Sequence, residues 1–342
     1  MRNFMRTSFL IGLGMLLMAV LLEAVLQCLP VFSGLPLQPS NAQTPISRYV
    51  PQQHYVFSYG WAFGNARQGT INRQGFANSR DFSDGAQVLV VGNSFVESLM
   101  LDYPNTLQGQ LEKKLGGAVL AAASSGNTLA DTLELVRYYV PRTHPRTVVL
   151  LIDSGNMNGL LAPSARGHSH FVIDGNSVGV QHNAYVESSL KQLVSRSALA
   201  RYVYYNLKLP DWLSNTLRHG GAAQAAAPAL ATAARSAVLD YYLSQLQAIG
   251  AGAGVRFVFV LDGERNVLYD PLHAKANWLG DNRPFLIAQL ARYRFDVVDM
   301  QPVMAQHWAS QRERLDFLPM DGHWNQVAQG LAAQQVAVML AR

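Results

Sequence analysis

The chain has 342 residues, of which 49% are hydrophobic and 14% charged. That balance describes a globular core and excludes a disordered chain. The net charge is 27 − 22 = +5, with the cations scattered singly, which argues against nucleic acid as a partner and leaves weak attraction to an anionic polymer or membrane surface. The single Cys28 excludes an intrachain disulfide framework and a cysteine zinc site.

The chain opens on basic "MRNFMR", followed by 23 residues, Thr7 to Leu29, with one charge, Glu23. A helix of that length reaches about 34 Å, enough to cross a bilayer core. Arg2 and Arg6 hold its start on the cytoplasmic side, and Glu23 falls near the outer interface. A cleaved signal peptide is the competing assignment, since the charge-free part, Phe9 to Leu22, has the length of an h-region. No small-x-small cleavage site follows closely, so an uncleaved anchor over residues 1–29 is favoured. The remainder is then expected on the periplasmic side of a bacterial inner membrane. Residues 30–71 carry five prolines up to Pro51 and read as an extracytoplasmic spacer and lead-in.

An alternating series follows. Val88 to Val91 is a β-branched run ending at Gly92. Asn105 to Leu115 has helical spacing, Ala118 to Ala122 is a short apolar strand, and Leu129 to Val140 is helical again. Thr147 to Ile152 has no polar alternation, as in a strand covered on both faces. Ala234 to Ile249 is helical and Arg256 to Leu261 a buried strand. Asn282 to Tyr293 is a helix with Asp281 as cap candidate, Phe295 to Val298 a strand, and Trp324 to Leu340 a last helix. The series predicts an α/β chain: a three-layer α/β/α sandwich on a doubly wound, mostly parallel sheet. Within residues 72–342, about 161–235 reads as an insertion. It holds a hairpin turning at Asp174-Gly175, an amphipathic piece over Leu190 to Leu207, and a mobile Ala-rich stretch. The tyrosines Tyr202, Tyr204 and Tyr205 are expected to pack.

Ser94 stands two residues past the first buried strand, at the carboxyl end where such sheets expose reactive groups. It is either a helix N-cap or a nucleophile, and a nucleophile needs a base. The base candidate is His323 in "DFLPMDGHWNQ", with Asp321 two residues earlier on the same loop, able to orient the imidazole or else to cap the last helix. Gly126 in "SSGNT" and Asn156 in "DSGNMNG" offer oxyanion donors, or serve only as a turn and a loop cap. His168 and His170 lack a third ligand, so no metal is assigned, and no cofactor is expected. Asp262, Glu264 and Asp270 read as a solvated loop.

These blocks, in this order, resemble the SGNH, or GDSL-like, hydrolase superfamily, from about Asn72 to the C-terminus. Gly92-Asn93-Ser94 matches its Gly-Asp-Ser block, Gly126 its oxyanion glycine, Gly155-Asn156-Met157 its Gly-x-Asn block, and Asp321 with His323 its last block. The lead-in "INRQGFANSRDF" is similar to that of membrane-anchored bacterial members. Three positions depart: Asn93 stands for the usual Asp, Met157 for a frequent Asp, and Asp321 precedes His323 by two positions instead of three. The resemblance implies ester chemistry with Ser94 as nucleophile, His323 as base, Asp321 as orienting acid, and Ser94 N–H, Gly126 N–H and the Asn156 amide as oxyanion hole. By analogy with anchored relatives, the substrate is an acylated carbohydrate, cleaved by an esterase or passed on by an O-acetyltransferase acting with polysaccharide-biosynthesis partners. A non-catalytic component of an envelope assembly and a lipase or phospholipid acyl hydrolase are the alternatives.

Overall fold

The computed structural model describes residues 2–175, 177–209, 232–274, 278–319 and 321–342. The chain divides into two compact units, each assembled from separated stretches.

The first unit takes the described residues within 1–36, 54–69 and 187–223. Its opening helix, Arg2–Gln27, is long and apolar enough to cross a membrane over Phe4–Gln27, and its large apolar side chains from Phe4 to Val25 are exposed. A two-stranded hairpin, β1 (His54–Tyr59) and β2 (Gly64–Thr70), and the short helices Ser189–Arg196 and Ala198–Arg201 complete it. The Glu23 carboxylate accepts from Ser197 Oγ (2.8 Å), Ala198 N (2.9 Å) and Leu199 N (2.8 Å), satisfying the orphan donors that open the Ala198–Arg201 helix. Leu26, Val31 and Ala198 form a small core against Phe63, Leu199 and Tyr202. Of the three tyrosines, Tyr202 packs against Phe63 and Tyr205 against Phe32 as expected, whereas Tyr204 is exposed.

The second unit holds a five-stranded sheet among the described residues: β3 (Val88–Gly92), β4 (Val119–Ala123), β5 (Thr147–Ile152), β8 (Arg256–Leu261) and β9 (Asp296–Asp299). Their order is β4-β3-β5-β8-β9, and every pairing is parallel. Strand alternation sorts the core into two layers. Leu89 and Val91 face the helices Leu129–Thr143, Thr232–Ala253 and Trp278–Arg292. Val88 and Val90 face Leu107–Leu115, Met300–Gln311 and Gln326–Leu340. All residues of β3, β4 and β5 are buried, each Val or Leu contributing about 1.5–3 kcal/mol of transfer free energy, which accounts for their unbroken apolar runs. The result is the three-layer α/β/α sandwich expected. The chain winds from β3 outward to β4, then back past β3 to β5, so the order in which strands are added reverses between β3 and β5, where ligands settle in such folds.

Several boundaries differ from the sequence reading. The stretch read as spacer does not act as one throughout: residues 37–53 belong to the sheet unit, with Ile46 in its core and Tyr49 buried, because these apolar side chains sit among the prolines. The hairpin turning at Asp174-Gly175, β6 (Ser169–Asp174) with β7 (Ser177–His182), also joins that unit, Phe171 packing on Tyr241 and Tyr242. Only the later part of the 161–235 insertion goes to the other unit. The Ala-rich stretch lies largely outside the described residues. Asp281 falls inside its helix instead of capping it. The helix Met300–Gln311, capped by Asp299, was not anticipated. The residues after Leu315 form a short antiparallel pair, β10 (Asp316–Leu318) and β11 (Asp321–Trp324), where a loop was expected.

Candidate active site

β3 ends at Gly92, where a β-carbon would meet Val96 Cγ2 at 2.6 Å, so the turn into the next element needs glycine. Asn93 then caps the one-turn helix Ser94–Glu97, its Oδ1 accepting from Phe95 N at 3.1 Å. The cap is therefore Asn93 and not Ser94, which leaves the serine hydroxyl free of that role. Ser94 Oγ lies 2.8 Å from His323 Nε2.

His323 and Asp321 stand on β11. Side chains two apart on a strand share a face, so the two-residue spacing brings carboxylate and ring together. Asp321 Oδ1 pairs with His323 Nδ1 and accepts from His323 N at 3.1 Å. A carboxylate at Nδ1 fixes the tautomer that leaves Nε2 able to accept a proton. The ring rests on Phe95, centroids 4.9 Å apart. Asp321 does not cap the final helix; Asn325 does, accepting from Val327 N and Ala328 N at 3.0 Å each.

β11 is held from beneath by a charge cluster that includes Asp262, which the sequence reading placed in a solvated loop. Asp262 is buried, accepts Trp324 Nε1–H at 2.7 Å and pairs with Arg265. Arg265 also donates to Asp316 Oδ1 (2.6 Å) and to the carbonyl of Gly322, between the two triad candidates. Burial pushes the Asp262 carboxyl above its ordinary range, opposed by the Arg265 guanidinium. Asp270 is exposed, as expected.

The other candidates gather at the carboxyl ends of β4, β3 and β5. Asn93 Nδ2 donates to Asp153 Oδ2 (2.9 Å), and Asp153 Oδ1 accepts from Asn156 N (2.7 Å). Asn156 Nδ2 donates to the Asn127 carbonyl (3.1 Å), and Asn127 Nδ2 to the Gly92 carbonyl (2.9 Å). One Asn156 amide hydrogen is thus committed to tying two loops together, and the second remains. Gly126 has φ +85°, and a β-carbon there would meet His168 Nε2 at 3.2 Å. Met157 is buried in the apolar core, so this chain has no use for the Asp often found there.

Residues that the sequence reading weighed only as metal ligands, or did not single out, complete the surroundings. His168 is committed to Asp131, Nδ1 to Oδ2 at 2.9 Å, and Asp131 Oδ1 also accepts from Ser169 N at 2.6 Å. His170 Nδ1 lies 3.1 Å from Ser164 Oγ. Glu97, one turn beyond Ser94, is buried and accepts from Ser125 Oγ. No sequence signal marked Glu97 as internal, since "VESLML" reads equally as a solvated turn.

No family model matches the sequence, and no curated protein matches it. Solved structures do. A lipolytic protein of the G-D-S-L family from Veillonella parvula is 11% identical, with 75% of this chain and 98% of that one covered and a TM-score of 0.39. The acetyl xylan esterase AlAXEase is 11% identical over 74% and 99%, TM-score 0.42. A carbohydrate esterase family 2 enzyme of Corynascus thermopiles (Myceliophthora fergusii) is 13% identical over 82% and 73%, TM-score 0.41. The chemistry argued below rests on the side chains of this chain.

Proposed function

We propose that this chain is a membrane-anchored serine acyl hydrolase of SGNH type that acts on ester bonds. One observation carries the reading: the 2.8 Å contact between Ser94 Oγ and His323 Nε2, with Asp321 on the opposite ring nitrogen. His323 Nε2 takes the Ser94 proton as Oγ attacks the ester carbonyl. Asp321 stabilises the imidazolium, which returns its proton to the leaving alcohol. Ser94 N–H, Gly126 N–H and the second Asn156 amide hydrogen receive the oxyanion. Water, or a sugar hydroxyl in a transferase, then attacks the acyl-enzyme by the reverse sequence. The acyl group is read as acetyl and its carrier as a carbohydrate, on the resemblance to anchored members of the superfamily.

The test is turnover of a small acetyl ester by the full chain in detergent. Ser94→Ala should lower kcat by at least about 10³-fold; equal rates would remove the enzyme reading. Turnover of long-chain esters in preference to acetyl esters would favour a lipase over the carbohydrate assignment.

Glu23 supports retention of the anchor. Cleavage after the apolar helix would strip the cap from Ala198–Arg201 and take Leu26 out of its small core. The membrane-bound protein should therefore keep the full mass of 37.5 kDa. Arg2 and Arg6 favour a periplasmic catalytic unit, which protease treatment of spheroplasts checks.

A further inference from the structure

Glu97 lies three residues after Ser94, in the same short helix, and is 4% exposed. Its carboxylate accepts from the Ser125 hydroxyl. Ser125 directly precedes Gly126, so the carboxylate joins the nucleophile's helix to the loop that carries the oxyanion candidate.

We infer that Glu97 is a positioning residue for the serine hydrolase reaction proposed above, clamping the Ser125–Gly126 segment to the Ser94 helix. The inference rests on that functional reading. An oxyanion donor acts only if it is held where charge develops, and a shift of a few tenths of an ångström at Gly126 N–H weakens it. Glu97 acts through that loop, without touching the substrate. Burial raises the carboxyl of Glu97 above its ordinary range, and hydrogen bonding from Ser125 opposes that rise. The loop has a second tether: Asp131 Oδ2 accepts from Thr128 N at 2.9 Å and from His168, whose ring lies on Gly126. Fastened at both ends, Gly126 keeps its left-handed backbone without help from substrate.

The experiment uses the full chain in detergent with a small acetyl ester and, separately, a fluorophosphonate that labels an activated serine. Labelling lost in Ser94→Ala establishes the underlying reading; a wild type that neither labels nor turns over removes it and the inference with it. Given an active wild type, Glu97→Gln should lower kcat about 10-fold with KM within twofold. Ser125→Ala should lower kcat by a similar factor with KM likewise within twofold. In the Ser125→Ala background, Glu97→Gln should cost clearly less in kcat than alone, because the shared tether is already gone. If Glu97→Gln leaves kcat and KM within twofold, a change in Tm alone marks Glu97 as merely structural and the inference fails. Independent, multiplicative effects at Glu97 and Ser125 would overturn the tether.

Discussion

Asn93 and Asp153 explain one another. Asn93 Nδ2 donates to Asp153 Oδ2 across the point where the order of strand addition reverses, 2.9 Å apart. The Asp usual in the first block would set two carboxylates against each other there. Asn93→Asp alone should therefore lower the unfolding free energy by about 1–3 kcal/mol, read from a urea transition. Adding Asp153→Asn restores a donor and should recover most of the loss; a double variant no better than the single would sink this account. Burial acts on titration at the same scale. Glu97 has its carboxyl raised from 4.5, so the folded state holds its proton to higher pH than the unfolded chain does. Its contribution to stability is complete below 4.5 and is lost as pH rises through the folded value. The Tm difference between Glu97→Gln and wild type should accordingly shift in favour of the variant as pH increases from that point. A pH-independent difference in thermal scans would contradict the assignment.

At the scale of elements, β11 depends on Arg265. This guanidinium spans Asp262, Asp316 and the Gly322 carbonyl, and so holds the strand that carries Asp321 and His323. Arg265→Met leaves the buried Asp262 carboxylate without its cation, at a cost of about 3–5 kcal/mol, while Asp316 keeps Arg314. The folded fraction should also lose kcat as His323 drifts from Ser94; unchanged kcat at full occupancy of the native state would deny Arg265 any part in positioning. This is also where the sequence was hardest to read. Val88–Gly92, Thr147–Ile152 and Arg256–Leu261 are legible because strands buried on both faces need unbroken apolar runs. β10 and β11 are three and four residues long, too short for any period to register. Met300–Gln311 buries little beyond Met300 and Met304 and carries Pro302 in its first turn, so it lacks a stripe. Ser94, Asp321 and His323 could be picked out because local pattern marks them. Glu97, Arg265 and Asp262 could not, because only the tertiary fold buries them.

At the scale of the whole molecule, neither unit is continuous in sequence. A fragment beginning at residue 45 looks like a convenient soluble domain, yet it removes Ser40, which pairs with Tyr185 through both backbone groups at 3.0 Å and whose Oγ meets His182 Nε2 at 2.9 Å. It also removes Leu26 and Val31 from beside Ala198. Such a fragment should melt lower than the detergent-solubilised full chain and should aggregate through the surfaces laid bare, as light scattering during a thermal scan would reveal. A fragment matching the full chain in Tm would show that these contacts add nothing.

The cap that Glu23 supplies has a consequence in time. Glu23 and Ser197 are 174 positions apart. At roughly 5–20 residues per second, the ribosome reaches the acceptor helix on the order of ten to thirty seconds after it has made the carboxylate. Throughout that interval the apolar segment must be chaperoned or already lodged in lipid. Nascent chains halted before residue 197 therefore carry an insertion-competent helix whose docking partner does not yet exist.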